Sequence, residues 1–172
     1  MELHMHTHHL ESRVPDWMAA VVAGFVGGAV VMVLELLWSS LIGRSSPWAI
    51  SHMISAIVMG PDVLQSTDFS VSVVATALVT HYVLGIVFGL VLCGIIAPFH
   101  FDSSMGMVFL TGTVFGLLLY LFNFYVMSQF FSWFDGMRGW ASLGTHLIFG
   151  MVTAVSYWTL ERRNGQIGRA HV

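Results

Sequence analysis

Four long apolar runs decide what this chain can fold into. They extend over about residues 17–41, 71–97, 105–127 and 139–160. Each is near the roughly 20 residues that carry an α-helix across a bilayer core. Within lipid the backbone N–H and C=O groups must be satisfied inside the protein, and a helix does this along its own length. Composition agrees: 56% of residues are apolar and 9% charged, against roughly 25% charged in a soluble domain. The mean hydropathy is +0.81. The chain holds no lysine and has a formal net charge of -3, which excludes the basic face that nucleic acid requires. The prediction is an all-α membrane protein, a four-helix transmembrane bundle with the lipid bilayer as its first partner.

The connections complete the plan. Residues 1–16 form a polar tail with His4, His6, His8 and His9, a tract whose imidazoles suit zinc, copper or nickel and whose alternative reading is a disordered tail. The first apolar run exceeds the roughly 7–15 residues of a signal-peptide core and is read as retained. In the long connection 42–71, Ser45-Ser46-Pro47 signals a helix start and Gly60-Pro61-Asp62 a stop. The segment between them, about 47–59, is too short to span and reads as an interfacial helix over the bundle mouth. It carries His52, a weak metal candidate. Phe130, Phe131, Trp133 and Phe134 cluster in the 128–138 connection and suit the membrane–water interface. Residues 161–172 read as a polar tail. Cys93 lies alone in an apolar run and reads as a small buried or lipid-facing residue.

The runs pair as two tandem hairpins. Gly24, Gly28 and Glu35 match Gly112, Gly116 and Asn123 at an offset of 88 residues, while His81 and Gly85 match His146 and Gly150 at an offset of 65. The 23-residue difference is the extra length of the first external loop. Two copies of one hairpin enter the bilayer from the same side, so the repeats are expected to be parallel, related by a pseudo-two-fold along the membrane normal. Gly24, Gly28, Gly85, Gly112, Gly116 and Gly150 are the expected helix-packing positions. Arg13, Arg162, Arg163 and Arg169 fall on the side of the termini, and Arg44 and Arg138 on the other. The positive-inside rule then puts both termini in the cytoplasm.

The polar residues inside these spans are the candidates for function. Glu35, His81, Asn123 and His146 all fall roughly 6–15 Å below the outer surface at ~1.5 Å per residue. An ionisable side chain at membrane depth is costly and needs a partner. Thr80, Thr145, Tyr82 and Tyr125 are close enough in sequence to supply supporting hydrogen bonds. Three readings are open. The first is a structural network gluing the hairpins. The second is a cofactor site, with His81 and His146 as axial ligands of a b-type haem and the following glycines making room for it, or with His81, His146 and Glu35 on one transition-metal ion. The third is a proton or quinone site built on titrating histidine and Glu35. The sequence assigns no catalytic residue.

Ser46-Pro47-Trp48, Ile57-Val58-Met59-Gly60, Leu119-Tyr120-Leu121-Phe122-Asn123-Phe124-Tyr125, Trp133-Phe134 and His146-Leu147-Ile148-Phe149-Gly150 resemble segments of a group of short four-span bacterial membrane proteins. Some of that group are labelled sodium:proline symporters. The resemblance covers roughly residues 17–160, implies a bacterial inner-membrane location and brings no catalytic residues to carry over. Sodium symporters of the large inverted-repeat kind use broken mid-membrane helices, which four uninterrupted spans do not supply. The leading expectation is a membrane protein with an outer-leaflet polar pocket for a metal or haem. The alternatives are a non-catalytic accessory or assembly subunit of a larger membrane complex, and a small transporter or proton/quinone-linked component acting as a homo-oligomer.

Overall fold

The computed structural model describes residues 14–42 and 46–170. Five α-helices follow one another: α1 (Trp17–Leu41), α2 (Ala49–Met59), α3 (Val71–Ile96), α4 (Met105–Leu121) and α5 (Trp140–Ala170). No strand occurs among the described residues. Four helical segments are long and apolar enough to cross a membrane: Trp17–Leu41, Val71–Ile96, Met105–Gln129 and Trp140–Asn164. Most of each span lies on the outside of the bundle, where its Val, Leu and Phe side chains meet lipid. The chain is a multi-pass membrane protein, with the short α2 between the first two spans.

Local chemistry sets the helix ends. Asp16 caps α1, its Oδ1 accepting the Ala19 N–H at 3.0 Å, and Ser104 caps α4 by accepting the Met107 N–H at 3.2 Å. Gly60, at φ 89, ends α2 in a conformation that suits glycine. Two segments differ from the sequence reading. The third span is not one continuous α-helix: beyond Leu121 it widens to a π-helical turn over Phe122–Val126 and then tightens to a 3-10 turn over Met127–Gln129. Arg138 accounts for the irregular end, since its Nε–H donates to the Phe124 carbonyl at 2.7 Å and its Nη2 to the Ser128 hydroxyl at 3.1 Å. The expected polar tail 161–172 is helical through Ala170. No proline interrupts it, and Asn164 is fastened by its amide donating to Asp16 Oδ2 at 2.7 Å. His4, His6, His8 and His9 lie outside the described residues.

Glycine-to-backbone contact holds the bundle. A Cβ on Gly24 would stand 2.5 Å from the Gly85 carbonyl oxygen and 3.0 Å from the Ile86 Cα. A Cβ on Gly112 would stand 2.5 Å from the Gly150 carbonyl oxygen and 2.9 Å from the Met151 Cα. Gly28, Gly85, Gly89, Gly116 and Gly150 lie in the same two crossings. Helices in lipid gain little from burying apolar surface, so van der Waals contact at small residues drives their association. Thus α1 lies against α3, and α4 against α5. The two pairs join through α1 and α5, where Gly27 meets Phe149 and Thr153.

The two halves of the bundle differ in filling. At the end that carries the termini, Ala19, Ala20, Ala23, Leu92, Cys93, Ile96, Val108, Ala154 and Tyr157 form a packed core. The Asp16 N–H donates to the Tyr157 hydroxyl there at 3.2 Å, and the Trp158 indole donates to the Asp102 carbonyl at 3.1 Å. The α3–α4 contact is slight, unlike the long α1–α5 contact. An exact two-fold would make these two interfaces alike. The gap between α3 and α4 widens toward the other end, where α2 packs on α3.

Gly112→Ala forces backbone apart and is expected to destabilise the protein by about 1–3 kcal/mol, whereas Gly94→Ala, whose Cβ meets only the end of Trp17 at 3.8 Å, is expected to be neutral; reversible unfolding in bicelles separates them. The Ala19 N–H, and after it the Asn164 amide, hold the Asp16 carboxyl below its ordinary range. Its contribution to stability is therefore complete above the unfolded carboxylate pKa of about 3.9 and is lost as pH falls through the lower folded value. Asp16→Asn keeps a cap but should flatten that acid limb in a stability–pH profile.

Candidate functional site

The gap between α3 and α4 is a cavity of about 300 Å³. Glu35, His81, Asn123, Thr145 and His146 all line it, so the four polar residues expected at one depth do share one space. Its remaining wall is apolar: Val31 and Gly28 from α1, Leu84 and Phe88 from α3, Leu119 and Phe124 from the third span, and Phe149 from α5. Met53, Ile54 and Ile57 of α2 lie on one side of its mouth, and Phe131, Phe134 and Met137 on another. These two covering pieces are tied together, because the Trp133 indole donates to the Met53 carbonyl at 3.1 Å.

Helix geometry explains which side chains arrive and which do not. Thr80 and Tyr82 flank His81, about 100° to either side on the helix, and neither lines the cavity. Tyr82 instead stacks on Phe25 at 4.5 Å between ring centroids. Tyr125 is two residues beyond Asn123, is 53% exposed and faces the Arg138 guanidinium. These three expected supporting residues therefore stand outside the site. Thr145 does line it, but its hydroxyl donates back to the Ser142 carbonyl at 3.0 Å. His52, the weak metal candidate on α2, is buried. Its ring nitrogens stand 2.6 Å from the Val63 carbonyl and 2.9 Å from that of Asp68, which pins the loop after α2 and leaves no nitrogen for a metal.

The hydrogen bonds fix the imidazole tautomers. His81 Nε2 lies 2.9 Å from the Gly28 carbonyl oxygen. A carbonyl only accepts, so Nε2 carries the proton and, in the neutral ring, Nδ1 is a lone-pair acceptor. His146 is the reverse. Its Nδ1–H donates to the Ser142 carbonyl at 2.7 Å, and its Nε2 accepts from the Asn123 Nδ2 at 3.0 Å. Among the described residues, nothing hydrogen-bonds or ion-pairs the Glu35 carboxylate.

This donor set bears on the cofactor expectations. No group of three or more His, Cys, Asp or Glu side chains among the described residues is placed to hold a metal ion. Glu35, His81 and His146 line one cavity without converging as ligands. The space expected beside the histidines for a macrocycle is taken up by backbone, since Gly85 lies on Gly24 and Gly28, and Gly150 on Gly112 and Gly116. Sequence reasoning did not foresee the π-helical turn, which puts Asn123 within reach of His146; such turns recur at functional sites.

Interhelical polar contacts in a bilayer contribute about 0.6 kcal/mol on average. Asn123→Leu, which removes the Asn123–His146 bond, is accordingly expected to cost no more than about 1 kcal/mol, well below Gly112→Ala in the same unfolding assay. A loss of several kcal/mol would show that the polar pair is structural glue. Comparison of the chain with protein-family models, with curated proteins and with solved structures returned no match, so the residues of the cavity are the basis for a functional reading.

Proposed function

We propose that the protein is a membrane-embedded binding protein for a small, largely apolar molecule with a polar head. One observation carries the reading: a cavity of about 300 Å³ whose walls are apolar apart from Glu35, His81, Asn123, Thr145 and His146 in its lining. Ligand sites are typically concave and mostly apolar, with a few placed polar groups. The arginine distribution supports an orientation with both termini cytoplasmic, which puts the cavity in the outer half of a bacterial inner membrane. The matched glycine crossings, with the same atoms in contact at offsets of 88 and 65 residues, support a tandem repeat of one hairpin. On this account the first copy acquired α2 as an insertion, and the inserted helix covers the gap.

A neutral photolabel tests the binding reading. With the protein in nanodiscs, 3-phenyl-3-(trifluoromethyl)diazirine is expected to label Met53, Phe88 and Met127 saturably, in competition with pentylbenzene. Leu119→Trp, which fills the cavity, should abolish that saturable component. Labelling that never saturates and matches the lipid-facing sides of the spans would overturn it. A Soret band or stoichiometric metal in the same preparation, lost in His81→Ala and His146→Ala, would restore the cofactor reading instead.

A further inference from the structure

The hydrogen bonds already made in the cavity narrow the class of ligand, on the footing that the cavity is the binding site proposed for it. We infer that the ligand is a protonated amine with an apolar body and that Glu35 is its counter-ion. All the polar donors in the lining but one, the second N–H of the Asn123 amide, are already engaged. His81 Nε2–H is held by the Gly28 carbonyl, His146 Nδ1–H and the Thr145 hydroxyl by the Ser142 carbonyl, and the Asn123 amide N–H by His146 Nε2. What remains otherwise is acceptor capacity: the two Glu35 oxygens, His81 Nδ1 and Asn123 Oδ1.

A quinone, ester or other carbonyl compound brings only acceptors and meets a single free donor here, the second Asn123 N–H. An alkylammonium brings only donors and suits a lining whose open polar capacity is mostly acceptor, Glu35 first. Charge points the same way. Among the described residues no Arg lines the cavity, and the chain has no Lys. Arg138 stands outside it, paired with Asp135 at 2.7 Å and bonded to the Phe124 carbonyl. A carboxylate alone among apolar walls is expensive, and a cation offsets that cost. Phe88, Phe124, Phe134 and Phe149 also stand in the lining, and an aromatic face attracts a cation. Glu35 thereby acquires a role that a hydrogen-bonded structural residue would not have.

Titration calorimetry of the full chain in nanodiscs, with empty nanodiscs subtracted, tests this with 4-phenylbutylamine and its neutral isostere pentylbenzene. The amine, protonated at pH 7, is expected to bind at least tenfold more tightly. Glu35→Gln should remove that advantage while leaving pentylbenzene binding unchanged, and Glu35→Asp should restore part of it. Equal affinities, or amine affinity unchanged in Glu35→Gln, would overturn the inference. Pentylbenzene bound without preference for the amine leaves the binding reading standing and this inference refuted; neither compound bound defeats both. Should Glu35→Gln fail to fold, dicyclohexylcarbodiimide modification of Glu35 in the unaltered protein gives the same answer. The amine should slow it and pentylbenzene should not, and protection equal for both would count against the ion pair.

Discussion

Backbone lying on backbone at glycine is the contact on which this architecture depends. In lipid there is no apolar surface to hide, so two helices stay together only where atoms approach closely enough for dispersion to accumulate. Gly24 against Gly85 and Ile86, and Gly112 against Gly150 and Met151, provide that approach twice. Everything that points a side chain inward depends on these two crossings. They set the rotation of α3 that aims His81 at the Gly28 carbonyl, and the rotation of α5 that brings His146 to Asn123.

The cavity is a consequence of how the pairs join. Contact between α1 and α5 is long, because Gly27 admits Phe149 and Thr153, while α3 and α4 hold their faces apart. Small side chains and Tyr157 close the bundle at the end with the termini. Toward the opposite end the same splay leaves space, bounded by α2 and by the aromatic segment that Arg138 and Trp133 anchor. Rigid packing at one end and space at the other come from one geometry.

Much of this was legible in the sequence, for identifiable reasons. Apolar runs near bilayer thickness fix the spans, and GxxxG spacing fixes which faces meet, since both are set by helix rise and period. Depth counted along each span was enough to bring Glu35, His81, Asn123 and His146 to one cavity. Rotation about the helix axis was less legible. Thr80, Tyr82 and Tyr125 are near in sequence but turned away, and the π-helical turn at Phe122–Val126 depends on Arg138, which lies in the following connection. The burial of His52 was not legible, because its partners are backbone carbonyls of Val63 and Asp68, which no side-chain pattern reveals. The glycines beside the histidines proved to be occupied by helix backbone, a use that spacing alone does not separate from room for a cofactor.

The two hairpins make their most informative statement where they differ. Asn123 and Glu35 stand at matched positions in the two matched runs. Asn123 is neutral and bonded to His146, the inexpensive way to place a polar residue inside a membrane bundle. Among the described residues Glu35 has no such bond, and its matched histidine has turned to the Gly28 carbonyl instead. An interhelical hydrogen bond returning about 0.6 kcal/mol would not justify a carboxylate at this depth, and here even that return is missing. If structure alone were at stake, a second asparagine would serve better. The difference between an answered amide and an unanswered carboxylate is thus the strongest physical reason to read the cavity as a binding site whose ligand is positively charged.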